Sequence, residues 1–230
     1  MLPFDEFDAI DLPNNALLRN IIAIVLDITV TAWEEVGRKG EVYATSSEPQ
    51  IAGYLGRAMI AEKNRRPAGI KSQLRIEEEV GTRSSADVAK TDGRIDIKII
   101  YSFDESEYFG MECKRVGGKD TYLAKQYLAE GMMRFVTGKY GLGHSWGTLL
   151  SFVIDGKTSD SIHLISSHLS NNRREICMEG DWTTENGFGT YEHLYHTRHR
   201  QYGQKSLMTI LHLFLTIAPI ISKTPEATDS

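Results

Sequence analysis

Only two of the 230 residues are cysteine, Cys113 and Cys177, so no disulfide framework holds this chain together. The fold must rest on a hydrophobic core, and a chain of this length can bury one within a single α/β domain carrying extra elements. Free thiols point to a reducing compartment. The opening Met1-Leu2-Pro3-Phe4-Asp5-Glu6 is acidic where a signal peptide would be basic, so a cytoplasmic location is expected. Long apolar runs are missing too. The two most apolar stretches, 16–30 and 207–221, are interrupted by Arg19, Asn20 and Asp27 and by His212, and each falls short of the roughly 20 residues a membrane span requires. Both read as buried core elements, and no membrane partner is expected.

Positive charge is also in short supply. A formal net charge of −5 opposes a polyanionic ligand at long range. No Gly-rich phosphate loop, zinc-finger spacing, basic helical arm, heptad run or internal repeat is present, so the chain has no reader of base sequence and no nucleotide motor of its own. What remains is local: Lys63, Arg65, Arg66 and Lys71, then Lys114, Arg115 and Lys119, then Arg173, Arg174, Arg198, Arg200 and Lys205. Taken singly, each is an ordinary solvated charge.

Against these absences stand two segments, Gly93-Arg94-Ile95-Asp96-Ile97-Lys98 and Met111-Glu112-Cys113-Lys114-Arg115. Residues 95–101 and 108–116 are rich in β-branched and aromatic side chains, and the polar stretch 102–107 between them can turn, which predicts a hairpin. Alternation along a strand puts Glu112 and Lys114 on one face and Cys113 on the other, where a buried free thiol is expected. A turn centred near Asp104 sets Asp96 opposite Glu112. Directly opposed carboxylates lie about 5 Å apart and repel unless a cation sits between them. Glu and Lys on the inner face of an otherwise apolar strand are also costly to bury without a purpose. Asp96, Glu112 and Lys114 are therefore the primary candidates for chemistry.

An Asp on one strand followed by Glu-x-Lys on the next resembles the core of the PD-(D/E)xK phosphodiesterase superfamily, which includes many restriction endonucleases. Ile95 stands where the name-giving Pro would be, and the resemblance covers about residues 48–140. It implies a restriction endonuclease-like α/β core, a central mixed sheet flanked by helices on both faces in the order αβββαβ. The core would occupy about 46–155 of a single domain, 1–222, with an N-terminal helix at 14–38, additions at 156–222 and a flexible tail at 223–230. The flanking sequence fits. Ile51, Tyr54, Leu55, Ala58 and Met59 recur at helical spacing, Ser46 or Ser47 can cap that helix, and Glu48 and Pro49 suit its first turn. A first strand is expected at 73–80. After Gly117-Gly118, residues Tyr122, Leu123, Tyr127, Leu128, Met132, Phe135 and Val136 mark a second helix over 121–137, which also carries Lys125, Gln126, Glu130 and Arg134. The resemblance makes the acidic residue of the first helix, Glu48, a further catalytic candidate, with Glu77 and Glu79 as its rivals. It makes Gln126 or Tyr127 accessory residues toward substrate, with Arg115 flanking the site.

Hard divalent cations prefer carboxylate, carbonyl and water oxygens, so Mg²⁺ or Mn²⁺ would be held by Asp96, Glu112 and the Cys113 carbonyl, and Glu48 would carry a second ion if there are two. Lys114 would orient the attacking water or help to deprotonate it. The expected function is a metal-dependent endonuclease acting on DNA, and analogy suggests the effector subunit of a restriction or anti-phage defence system. The missing basic surface suggests a homo-oligomer or recruitment by a separate recognition, sensor or ATPase subunit. A non-catalytic nucleic-acid-binding scaffold and an RNA-cleaving toxin are the alternatives.

The second half carries fewer signals. A buried strand is expected at 146–155, a helix at 159–170, a Gly-rich loop at 180–189, a strand near 191–197 and a last apolar element. His193, His196 and His199 invite a zinc site. Strand alternation separates His196 from the other two, so convergence would need a turn within the run. A late strand whose His and Arg side chains contact phosphate or fill a polar edge is favoured over zinc.

Overall fold

Of the two most apolar stretches of the sequence, 16–30 lies in the first helix and 207–221 supplies a central strand of one sheet. In the computed structural model, which describes residues 14–82, 93–102, 105 and 107–217, the strands are β1 (Arg75–Thr82), β2 (Gly93–Ile100), β3 (Tyr108–Val116), β4 (Trp146–Val153), β5 (Met178–Thr184), β6 (Leu194–Arg200) and β7 (Leu207–Thr216). They form a seven-stranded mixed sheet in the order β1-β2-β3-β4-β7-β6-β5. β3, β4 and β7 run parallel at its centre, and antiparallel pairs continue the sheet on both sides. Strands covered on both faces read as near-continuous apolar runs, as Leu149, Leu150, Phe152 and Val153 do in β4. The polar segment 83–92, turn residues 103, 104 and 106, and the ends 1–13 and 218–230, with the tail expected to be flexible, lie outside the described residues.

Helices cover both faces. α1 (Asn14–Lys39) and α2 (Glu48–Arg65) pack on one face, where Ile22, Val25, Leu26, Ile51, Leu55 and Met59 meet Ile97, Ile99, Met111 and Cys113 of the sheet. Ser47 begins α2 as its N-cap, with its backbone N–H held by Gln50 Oε1 at 2.9 Å. A short α3 (Ala68–Gln73) then takes residue 73 out of the expected first strand, which begins at Arg75 instead. On the other face α4 (Thr121–Gln126) runs through a π-helical turn at Tyr127–Met132 into α5 (Met133–Val136), and α6 (Thr158–Asn171) lies beside them. Tyr127, Met132, Phe135, Ile165 and Leu169 pack there against Leu149, Ile210 and Phe214. The expected α/β class and the order helix, three strands, helix, strand are both present.

Two expectations about the second half need correction. Residues 180–184 belong to β5, not to a Gly-rich loop, because β6 offers an edge to pair with and Trp182 stacks on Tyr195 at 5.1 Å. The strand near 191–197 is β6, displaced toward the C-terminus, since His193 and Glu192 still lie in the preceding turn.

Candidate active site

The site forms where β2 and β3 part. Their ladder ends at Ile97↔Met111, one pair short of the expected Asp96–Glu112 opposition. Beyond that point β3 has an open edge, with backbone groups of alternate residues facing it. Carboxylates fill the gap: Asp96 Oδ2 accepts from Cys113 N–H at 2.7 Å, and Glu48 Oε2 accepts from Arg115 N–H at 3.1 Å. Side chains from a helix start and two strands thus converge on the second half of β3.

Lys114 ties the cluster together. Its ammonium donates to Glu48 Oε1 at 2.7 Å and to the Cys113 carbonyl at 3.0 Å, and lies 2.7 Å from Glu112 Oε1. Burial alone would lower its pKa, but the Glu112 and Glu48 carboxylates outweigh it and the net shift is upward, so Lys114 is held charged. Glu112 is fully buried. Its carboxyl is pushed up to about 7, first by burial and then by Asp96, against the pull of Lys114 and Arg134. The Asp96 carboxyl moves up as well, chiefly through burial, opposed by its bond to Cys113.

Arg134 is the participant that the sequence did not reveal. Its Nη1 donates to Glu112 Oε1 at 2.7 Å and to the Tyr140 hydroxyl at 2.6 Å, and that hydroxyl donates to the Arg94 carbonyl. A π-helical turn takes about one more residue than an α turn, which rotates the residues after it by roughly 100° relative to plain helical spacing. That phase change carries Arg134 away from the face of Tyr127 and over β3. Gly131, within the same turn, leaves room for Lys114: a Cβ there would lie 2.8 Å from Leu149 Cδ2 and 3.3 Å from Lys114 Cγ. Gly131→Ala is expected to cost about 1–3 kcal/mol by overpacking, read as a lowered thermal midpoint.

Three carboxylates therefore face two cations in a buried setting, and Glu112 Oε2 is buried with no hydrogen-bond partner among the described residues. Such an orphaned anionic oxygen is costly unless a cation completes it. The donor set suits a hard divalent ion: Glu112 Oε2, the Asp96 oxygen not bound to Cys113, and the Cys113 carbonyl. Cys113's thiol lies on the opposite face among apolar side chains, and burial pushes its pKa well up, so it offers no thiolate. Among the described residues no group of three His, Cys, Asp or Glu side chains is already gathered around one point. Lys114 holds Glu48 in an ion pair at 2.7 Å. Glu48, the candidate for a second ion, holds the Lys114 ammonium with one oxygen and the β3 edge with the other.

Several other candidates are not brought to the site. Tyr127 is fully buried, with its hydroxyl 2.7 Å from His212 Nδ1, so it cannot face a substrate. Gln126 is half-buried beside Glu130. Arg115 reaches back to the Ala44 carbonyl at 3.0 Å and steadies the approach to α2. Glu77 pairs with Arg75 at 2.8 Å. Of the basic residues, Arg66 is engaged by Asp27 and Glu62, Arg65 by Glu62, Arg173 by Asp181 and Arg200 by Glu179.

The histidine run does not converge. His196 Nδ1 lies 3.0 Å from Glu185 and His193 lies 3.8 Å from Glu192, whereas His199 turns into the core. A buried chain runs from the Ile176 carbonyl through His199, Thr197 and His212 to Tyr127, each link 2.7 or 2.8 Å. A carbonyl only accepts, so His199 donates from Nδ1 and its Nε2 accepts from Thr197; His212 then donates to Thr197 from Nε2 and accepts from Tyr127. Both rings are neutral in this arrangement. The chain matches no protein-family model, no curated protein and no solved structure.

Proposed function

We propose that this protein is a metal-dependent phosphodiesterase that cuts DNA, with a restriction endonuclease-like core of the PD-(D/E)xK type. The observation that carries the proposal is the convergence of Glu48, Asp96, Glu112 and Lys114 on the splayed edge of β3, around a buried Glu112 oxygen that has no hydrogen-bond partner among the described residues. Asp96, Glu112 and the Cys113 carbonyl would hold Mg²⁺ or Mn²⁺, which when bound acidifies water and neutralises charge developing on the phosphate.

The chain's own residues supply the rest. Lys114, kept charged and aimed by Glu48, places an ammonium beside the ion's oxygen ligands, where it orients the nucleophilic water and stabilises negative charge on the reacting phosphate. Asp96 engages the Cys113 N–H and Lys114 engages the Cys113 carbonyl, so both polar groups of that residue are held at the β3 edge. Many of the surface cations are neutralised within the chain, which favours a second copy or a nucleic-acid-binding partner as the source of substrate affinity.

The test incubates wild type, Lys114→Ala and Asp96→Ala with supercoiled plasmid, linear duplex, single-stranded DNA and RNA in Mg²⁺, Mn²⁺ or EDTA. Cleavage that needs the metal and disappears in both variants is expected, with DNA preferred. Metal-dependent cleavage of RNA alone would redirect the proposal to a ribonuclease, and inactivity of wild type on every substrate would favour a scaffold role.

A further inference from the structure

Among the described residues, Arg134 commits only one of its nitrogens to hydrogen bonds. Nη1 serves both Glu112 and Tyr140, while among the described residues no acceptor reaches Nε or Nη2. The guanidinium is fixed all the same. Its Cζ lies 5.4 Å from the Tyr140 ring centroid, and the Tyr140 hydroxyl is anchored on the Arg94 carbonyl. The side chain is 31 % exposed and lines an open groove with Ala129, Glu130, Met133, Thr137 and Lys139. Nε and Nη2 form the side edge of the guanidinium fork, whose two parallel N–H bonds match a pair of phosphate oxygens.

From this geometry we infer that Arg134 is the clamp for the scissile phosphate. Its Nε–Nη2 edge takes the two non-bridging oxygens of a phosphodiester seated in the groove beside Glu112, and Lys139 takes a neighbouring phosphate. The inference rests on the phosphodiesterase proposal above. A counterion for Glu112 alone would need a single donor, which Lys could supply. A planar fork with an unengaged edge, on a side chain that lines an open groove, suits a two-oxygen ligand. Lys in its place would keep the charge and lose the match.

Binding is measured without turnover, in Ca²⁺, by fluorescence anisotropy of a short labelled DNA duplex, the corresponding single strand and an RNA of the same sequence. Wild type is compared with Arg134→Lys and Arg134→Gln, and Ca²⁺ binding without nucleic acid is followed by calorimetry. Both variants are expected to lose about tenfold to a hundredfold in affinity for the preferred strand. Arg134→Gln should also flatten the dependence of log affinity on log salt by about one, whereas Arg134→Lys keeps the wild-type slope. Ca²⁺ affinity in the absence of nucleic acid should hold or rise in both, since Arg134 competes for Glu112. Wild-type affinity and slope in the variants would overturn the inference and leave the phosphodiesterase proposal standing. Loss of Ca²⁺ binding alongside nucleic-acid binding would do the same, by reducing Arg134 to a support for Glu112. Absence of Ca²⁺ binding by wild type would remove both.

Discussion

Replacing Glu112 with Gln is expected to abolish metal-dependent cleavage and, in the same protein, to raise thermal stability without metal near neutral pH. The two effects share a cause. Gln keeps an oxygen that can accept from Lys114 and Arg134 but removes the negative charge that a divalent ion needs. In wild type, folding lifts the Glu112 carboxyl from an ordinary 4.5 to about 7. A carboxyl whose pKa is raised on folding contributes stability below its unfolded pKa, and that contribution is lost as pH rises through the folded value. The shift corresponds to roughly 3 kcal/mol of destabilisation once the group is fully ionised. Thermal melts in EDTA should therefore show Glu112→Gln gaining on wild type from about pH 4.5 to just above pH 7. Mg²⁺ or Mn²⁺ should close the gap, because only wild type binds the ion and binding stabilises the folded state. A variant less stable than wild type above pH 7 in EDTA would mean that Lys114 and Arg134 already satisfy the carboxylate, and the case for a cation there would fail.

What could be seen beforehand divides along physical lines. Period-two alternation put Glu112 and Lys114 on one face of β3 and Cys113 on the other, and helical spacing placed Glu48 in the first turn of α2. These rules are local, and local rules can be read from one sequence. The parting of β2 from β3 is not local. Nothing around Asp96 announces that its carboxylate, rather than a backbone carbonyl, will accept the Cys113 N–H. Arg134 escapes local rules for a similar reason. Plain helical spacing sets it two turns after Tyr127 on the same face, and only the π turn at Tyr127–Met132 separates the two, burying Tyr127 and bringing Arg134 to Glu112. A Gly within an otherwise helical run, Gly131, was the available hint. The link from His199 through Thr197 to His212 depends on β6 lying antiparallel to β7, a pairing between strands that no local periodicity specifies.

Those two histidines set the second large effect, a loss of stability on acidification that has nothing to do with catalysis. Both rings are buried. Burial lowers the His199 pKa from 6.5 to about 4 and pushes His212 well below its usual value. A proton on either ring would break the chain of bonds as well as bury a charge, since each ring already uses one nitrogen as an acceptor. For a histidine held neutral by folding, the contribution is complete above the unfolded pKa of 6.5 and disappears as pH falls toward about 4. His199 alone is then worth roughly 3 kcal/mol across that window, with His212 acting in the same direction. A domain of ordinary stability, about 5–15 kcal/mol, would lose a large share of it. Glu112 titrates in the opposite sense over part of the range, so the measurement belongs in the Glu112→Gln background, by urea denaturation at a series of pH values between 7 and 4. Stability should fall steadily toward acid there, and adding His199→Gln should lower stability at neutral pH while making its pH dependence shallower. A flat profile in Glu112→Gln would show that the rings accept protons without opening the core, and the neutral, fully directed chain from Ile176 to Tyr127 would have to be abandoned.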